Sequence, residues 1–340
     1  MPLNPLTSSD LHSLPSPENI RRKELANGIV ALSRVNPASS AVFVSGSLPI
    51  GGLFDPDDKL GLADFTAAAL MRGTKSWNFH QIYDQLESIG ASLGFSAGTH
   101  MVSFNGKSLA EDLDLLLNLL NEALRKPEFP VEQVEKLRAQ LLTSLSIRAQ
   151  DTAELASLAF DELVYQGHPY RRPEDGYPET VQAITPSDLV NFHRDHYGPR
   201  GMQIAIVGGI DPELAIEKVC RVFEDWRNPS QMTPPELPPL KPIHELLTRH
   251  VEVAGKSQVD LVVGAAGPKR SSPEYMAASI GNHIFGRFGM MGRLGEVLRE
   301  KAGIAYYVSS SLGGGLGPGP WEITAGVDPA HQEQDDQNDD

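Results

Sequence analysis

Six prolines fall within Asn228–Pro242 (NPSQMTPPELPPLKP), and this stretch constrains the fold more than any other. Proline fixes φ and donates no backbone hydrogen bond, so a run this dense favours a stiff, extended connector over helix or sheet. On either side the chain returns to ordinary globular patterning, which predicts two domains. The 340 residues are enough for both.

The two sides repeat one design. At an offset of 213, LESIGASLGFSAG (Leu86–Gly98) lies against REKAGIAYYVSSS (Arg299–Ser311), pairing Glu87 with Glu300 and Gly90 with Gly303. Before the connector, β-branched and small apolar residues predict a pair of strands over 24–33 and 41–47, turning through VNPASS. Apolar residues at i, i+3, i+4 predict helices over 59–72 and 79–89, the second stopped by Gly90. Strands ASLGFSAG and HMVSFNG follow, then helices over 113–124, 130–148, 152–165 and 186–196. GMQIAIVGG reads as a buried strand and 212–223 as the next helix. After the connector, strands over 258–264 and 304–312 flank helices over 274–284 and 292–301. The shared order of strand, helix, helix, strand predicts two related α+β lobes.

The repeat ends near Asp328, the counterpart of residue 115, and gives way to the polar string HQEQDDQNDD. The sequence therefore predicts a flexible arm over 1–19, a first lobe over 20–227, the connector over 228–242, an incomplete second lobe over 243–328 and a disordered acidic tail over 329–340. The tail holds five acids and no base, which leaves about −10 of the net charge of −15 for the rest. A moderately acidic body is poorly suited to a phosphate backbone, so nucleic acid is not an expected partner. No apolar run approaches the ~20 residues of a membrane-spanning helix. One cysteine, Cys220, excludes an internal disulfide and any Cys-x-x-Cys pair. The N-terminus has no basic stretch followed by an apolar one, so the expected location is cytoplasmic.

The helix KLGLADFTAAALMRGTKSW (Lys59–Trp77) resembles the signature helix of the pitrilysin-like zinc peptidases, peptidase family M16, which includes mitochondrial processing peptidase and the core proteins of the cytochrome bc1 complex. Other landmarks agree in order: NGIVAL, QLESIGASLGFSAG, GHPYRRPEDG (Gly167–Gly176), ITPSDLVNFHRDHYGP, MQIAIVGG and, in the second lobe, GRLGEVLREKAGIAYYVSS (Gly292–Ser310). The resemblance spans roughly residues 20–328. It implies the LuxS/MPP-like metallohydrolase fold, with tandem lobes that each carry a largely antiparallel sheet covered by helices. A bland reading of GLADFTAAALMRGT remains, an Ala-rich core helix of an unrelated protein.

Catalytic members carry H-x-x-E-H here. Two His at i and i+4 share a helical face and reach one zinc, and the Glu beside them is the base for the metal-bound water. In this chain the first His position is Asp64, the Glu position Ala67 and the second His position Ala68. The family's third ligand, a Glu, should fall near Thr143–Leu145, where LLTSLSI has no carboxylate. Asp64 offers one oxygen and the alanines offer nothing, so the resemblance implies a chain without zinc and without peptidase activity of its own. The second lobe keeps Arg299 and, seven residues on, Tyr306; in catalytic relatives such a pair reaches the substrate. A guanidinium can bind a peptide carbonyl, and a phenol can stabilise an oxyanion. The bland alternatives are a helix C-terminal cation and a strand aromatic; a slip of one residue would present Tyr307 instead.

Three weaker readings stay open. His193 and His196 at i, i+3 have a chelating spacing, although their Asp and Arg neighbours suggest a solvated face. Gly313–Gly319 lacks the order of a phosphate-binding loop and reads as a strand connection, with peptide handling as the family alternative. Cys220 sits on an amphipathic helix with no catalytic constellation around it. Taken together, the resemblance implies a peptide-binding, non-catalytic subunit that forms a heterodimer with an H-x-x-E-H-bearing M16 subunit and supplies Arg299 and Tyr306, zinc being held only by that partner. The alternative is a structural scaffold subunit, like the bc1 core proteins.

Overall fold

The computed structural model describes residues 14–287 and 292–328. The acidic tail and most of the N-terminal arm lie outside them. The described residues group into two compact units: those up to Gln140 together with Glu174–Pro234, and Leu141–Pro173 together with those from Pro235 onward. The sequence put all of 20–227 in one lobe. Residues 141–173 instead group with the second unit, because Phe160, Val164 and Tyr165 pack against Leu240, Val262 and Ala266.

The first unit is built on a six-stranded sheet in the order β1-β2-β6-β3-β5-β4. The strands are β1 (Arg21–Glu24), β2 (Val30–Val35), β3 (Ala41–Leu48), β4 (Ser92–Ala97), β5 (Val102–Leu109) and β6 (Gln203–Gly208). Two sequence expectations need correction. The run 24–33 is broken by a turn at Asn27–Gly28, where Gly28 has φ +91°, so it becomes β1 and β2. Nor do β2 and β3 pair: β6 lies between them, parallel to β2 and antiparallel to β3. A parallel neighbour must arrive by a long crossover, so no local turn signal could announce it.

One face of the sheet is core. Val42 and Val44 of β3, Val102 and Phe104 of β5, and Ile204 and Ile206 of β6 alternate inward and are buried. Gly46 matters here: a Cβ on it would stand 2.2 Å from the Phe104 ring and 2.3 Å from the Gln203 carbonyl oxygen. The opposite face leaves Phe43 and Val207, which sit opposite each other in the register, exposed.

The helices of this unit are α1 (Leu62–Ala69), α2 (Phe79–Ser88), α3 (Leu113–Arg125), the start of α4 (Val131–Arg148), α6 (Pro178–Ala183), α7 (Pro186–His196) and α8 (Pro212–Phe223). Their starts follow the sequence closely. Asn78 and Gln81 form a capping box on α2, Thr185 and Asp188 form one on α7, and Asp211 caps α8. Leu113, Leu116, Leu117, Leu120 and Leu124 bury one stripe of α3, and Lys218 of α8 pairs with Asp114 at 2.5 Å.

The second unit holds a three-stranded antiparallel sheet, β7 (Val259–Ala266), β9 (Pro318–Val327) and β8 (Ala305–Gly314), in the order β7-β9-β8. Helix α5 (Thr152–Val164) packs on β7, while α9 (Tyr275–Asn282) and a π-helical turn over Gly295–Lys301 pack on β8. Val259 and Leu261 join Val308, Ala325 and Val327 on one side of β7; Val262 and Ala266 meet α5 on the other. The Gly-rich segment is the β8–β9 connection. The Gly317 amide donates to the Tyr170 hydroxyl at 2.8 Å, and the Tyr165 hydroxyl donates to the Pro318 carbonyl at 3.0 Å. A Cβ on Gly317 would meet the Tyr170 oxygen at 2.5 Å, which gives that glycine a packing reason.

The repeat is visible in three dimensions. Leu62–Ala69 and Tyr275–Asn282 are both eight-residue helices, offset by 213 at each end. The strand order β3-β5-β4 of the first unit recurs as β7-β9-β8 in the second.

Candidate functional site

Helix α1 is held in place before its first turn. The buried Asp55 carboxylate accepts from the Gly61 and Ala63 amides, both at 2.9 Å, which satisfies donors that a helix start leaves free. Gly61 has φ +90°, and a Cβ there would stand 2.8 Å from the Asp175 carbonyl oxygen. Gly176, at φ +71°, is pressed as closely against the Leu60 carbonyl, to which Thr180 also donates at 2.8 Å. This double close approach of backbones explains the Glu174-Asp175-Gly176 landmark: it is a clamp on the entrance to α1. Glu174 is fixed in turn by the Thr99 amide and hydroxyl at 2.6 and 2.7 Å.

Asp64 therefore sits in an acidic, half-buried place. Burial pushes its pKa up to about 6; the Ala97 amide at the end of β4 works against the shift, while Asp175 and Glu174 add to it. The Tyr197 hydroxyl is buried without a hydrogen-bond partner. Burial and the Asp64 charge together push its pKa up. Ala67 is fully buried and Ala68 half-buried. The position that would carry the catalytic base is thus filled by packing. Among the described residues, no group of three or more His, Cys, Asp or Glu side chains is placed to hold a metal ion. One carboxylate and two methyl groups do not fit zinc, and no chemical step follows from a metal here.

The histidine pair of α7 does not chelate. His193 Nε2 meets the Leu124 carbonyl at 2.9 Å, and its ring stacks on Tyr197. Burial lowers its pKa to about 4, opposed in part by the Leu124 carbonyl. His196 lies between Phe54 and Phe192, ring centroids 4.3 and 4.4 Å away, and burial lowers its pKa although Asp195 opposes this. The sequence reading of a solvated face is corrected: Asp195 and Arg194 face outward and pair with each other, while both imidazoles turn into the core.

In the second unit Arg299 is exposed on the π-helical turn, and Tyr306 is 56% exposed on β8. The pairing of β8 with β9 is irregular between Ala305 and Tyr307, so the two tyrosines diverge. Tyr306 donates to Asp328 at 3.3 Å, a long contact at the surface. Tyr307 donates to Asp260 at 2.5 Å, and Asp260 also accepts from Thr152 and from Gln258. Burial would raise the Asp260 pKa, but these three donors outweigh it and hold it low. Tyr307 is thus engaged in joining α5 to the sheet, while Tyr306 is the more exposed of the two rings.

Sequence reasoning missed Tyr197, the Glu174–Asp175 clamp and the Asp260 hub. Only the clamp left a signal, the tight GHPYRRPEDG landmark. The others depend on which distant strand or helix arrives beside them.

A family model described as "Insulinase (Peptidase family M16)" matches residues 30–173, and one described as "Peptidase M16 inactive domain" matches residues 183–335. An "Uncharacterized zinc protease" of Rickettsia bellii (strain RML369-C) is 24% identical over 296 residues, covering 86% of this chain and 70% of its own length. A probable mitochondrial-processing peptidase subunit beta of Arabidopsis thaliana is 24% identical over 220 residues, which are 65% of this chain and 41% of that protein. The crystal structure of a peptidase M16 inactive domain from Pseudomonas fluorescens superposes with a TM-score of 0.80 at 26% identity, over 91% of this chain and 74% of that one. Those matches agree with the paired α+β units and with the order of the landmarks: the chain belongs to peptidase family M16.

Proposed function

We propose that this chain is a non-catalytic M16 subunit that binds peptide and completes the site of an H-x-x-E-H-bearing zinc subunit, supplying Arg299 and Tyr306. The observation that carries the reading is the split between the two units. The helix face that would hold a metal bears Asp64, Ala67 and Ala68, with Ala67 packed away, while Arg299 and Tyr306 stay exposed. In this role the Arg299 guanidinium binds a peptide carbonyl and the Tyr306 hydroxyl donates to an oxyanion; the metal and the base come from the partner. The outer edge of β4, beside α1, supports peptide binding by strand addition.

The reading places the chain in the cytoplasm, where its free, buried Cys220 has no disulfide to make. No helix among the described residues is long and apolar enough to cross a membrane. The test mixes the purified chain with an H-x-x-E-H-bearing M16 subunit and follows cleavage of a fluorogenic peptide. The chain alone is expected to be silent and to contain no stoichiometric zinc; the pair is expected to cleave. Loss of the Tyr306 donor through Tyr306→Phe should lower turnover about 10²-fold, and Arg299→Ala should lower it too. Undiminished turnover in both variants would remove the role and leave the scaffold alternative.

A further inference from the structure

We infer that the open face of the first unit's sheet carries a subsite for acidic, extended peptide of the pattern acid–x–apolar–x–acid. The inference deepens the peptide-binding part of the proposed function and rests on it, but it concerns a different place. Asp64 accepts from the Ala97 amide at one end of β4. The subsite meets β4 at Ser92, at the other end of that strand and about 16 Å along it.

The registers of four strand pairs align one row of side chains across the sheet. Ser92 stands opposite Lys107, Lys107 opposite Phe43, Phe43 opposite Val207 and Val207 opposite Arg34. Facing residues of a ladder point to the same side, so all five belong to the face away from the core. Phe43 is 52% exposed and Val207 36%. One exposed apolar side chain is ordinary. Two that face each other, with a cation on either side of the pair, form a pattern. The exposed Lys107 places its ammonium 5.7 Å from the centroid of the Phe43 ring, so the charge stays beside the apolar pair. The Arg34 guanidinium has five N–H donors, and a neighbour on one edge leaves others for a ligand.

Charge selects the kind of peptide. The chain has 44 acids against 29 Lys and Arg, yet β2–β6 contain no Asp or Glu, and their two cations are Lys107 and Arg34. Such a face draws carboxylates to it although the molecule as a whole repels them. Spacing then sets the pattern. Lys107 on β5 and Arg34 on β2 lie three strand spacings apart, about 14 Å. In an extended peptide the side chains at i, i+2 and i+4 share one face, and i to i+4 spans about 13–14 Å. A segment lying across the strands therefore brings carboxylates at i and i+4 to the two cations. Its i+2 side chain falls on Phe43 and Val207. A segment with Lys or Arg at i and i+4 meets like charge instead.

The test measures fluorescence anisotropy at low salt with the full chain alone. The probes are a fluorescein-labelled Gly-Ser-Glu-Thr-Leu-Thr-Glu-Ser-Gly peptide and the same peptide with Lys for both Glu. The Glu probe should bind about tenfold more tightly, or better, against the net charge of −15, which favours the Lys probe. Lys107→Glu should remove the preference. Phe43→Ser should weaken the Glu probe, as should serine in place of the probe's leucine. Equal binding of the two probes, or tighter binding of the Lys probe, overturns the inference. So does a preference that survives Lys107→Glu, because the peptide then lies elsewhere, the β4 edge included. A dimer of the unliganded chain that Phe43→Ser dissociates would assign the face to a second copy and would overturn it as well. No partner subunit and no turnover enter this measurement. A pair that cleaves while the chain shows no Glu preference removes this subsite alone. A Glu preference beside a silent pair removes the shared peptidase site alone.

Discussion

The two units run the same helix through opposite environments. In the first, α1 is tiled with small residues, roofed by α7 and clamped at its entrance by Asp55 and the Glu174–Gly176 turn. In the second, the equivalent α9 carries Met276 and Ile280 into the open. Apolar character alone does not decide burial; the neighbour does. The comparison also shows what became of the metal-motif positions. Alanine at 67 and 68 did not leave a vacant site, because the helix is closely packed.

The largest effect should come from breaking the closure of the first unit. Ile206 of β6 is 1% exposed, and Ile206→Ala should cost about 2–5 kcal/mol through lost transfer energy and a cavity. Val263, on the opposite unit's edge strand, is exposed, and Val263→Ala should change stability by less than about 0.5 kcal/mol. Urea melts of both variants check this. Equal losses would mean that β7 is as enclosed as β6, against the comparison.

The second effect is electrostatic. Asp64 titrates near 6 in the folded chain against an ordinary 3.8. An acid with a raised folded pKa costs stability above that pKa and nothing below its unfolded value. Asp64→Asn should therefore stabilise the first unit at pH 7, by up to about 3 kcal/mol, with the gain fading between pH 6 and 4. His193 has the opposite sign. Its pKa is lowered to about 4, so its contribution is intact above 6.5 and lost as pH falls toward 4. A His193→Gln chain should lose part of its acid sensitivity. Tm against pH for the two variants separates the contributions, and a pH-independent Asp64→Asn difference would show that Asp64 titrates normally.

Third, the comparison can be probed at one equivalent position. Ala67→Ile adds bulk where there is no room and should cost about 1–3 kcal/mol. Ile280→Ala, 213 residues on, should stay within about 0.5 kcal/mol. If both variants melted like the parent chain, α1 would not be under the cover described.

Much of this was legible in advance, and the reason differs by element. The helices at 186–196 and 212–223 were readable to the residue, because Thr185 and Asp211 announce their starts and proline fixes their first turns. The absence of zinc donors was a matter of residue identity, readable at Asp64, Ala67 and Ala68. Strand neighbours were not. Nothing local in Val30–Val35 or Ala41–Leu48 tells that β6, some 160 residues away, will separate them. The same holds for α5, whose apolar stripe reads as core without saying which sheet it covers. His193 and His196 misled because their charged neighbours are exposed while the rings are not.

The smallest effect bears most directly on function, because it separates two adjacent tyrosines. Tyr307 is a tie: its hydroxyl reaches Asp260 together with Thr152 and Gln258. Tyr307→Phe should cost about 1 kcal/mol, near the value of one partly exposed hydrogen bond, since two donors remain on the carboxylate. Tyr306 has one long surface contact, to Asp328, and Tyr306→Phe should leave the melt unchanged. In the peptidase assay with an H-x-x-E-H-bearing subunit the order reverses: Tyr306→Phe should act on turnover, and Tyr307→Phe only as far as it loosens the fold. A chain in which Tyr307 carried the activity and Tyr306 the stability would have its β8 register shifted by one residue, and the assignment of Tyr306 would fall with it.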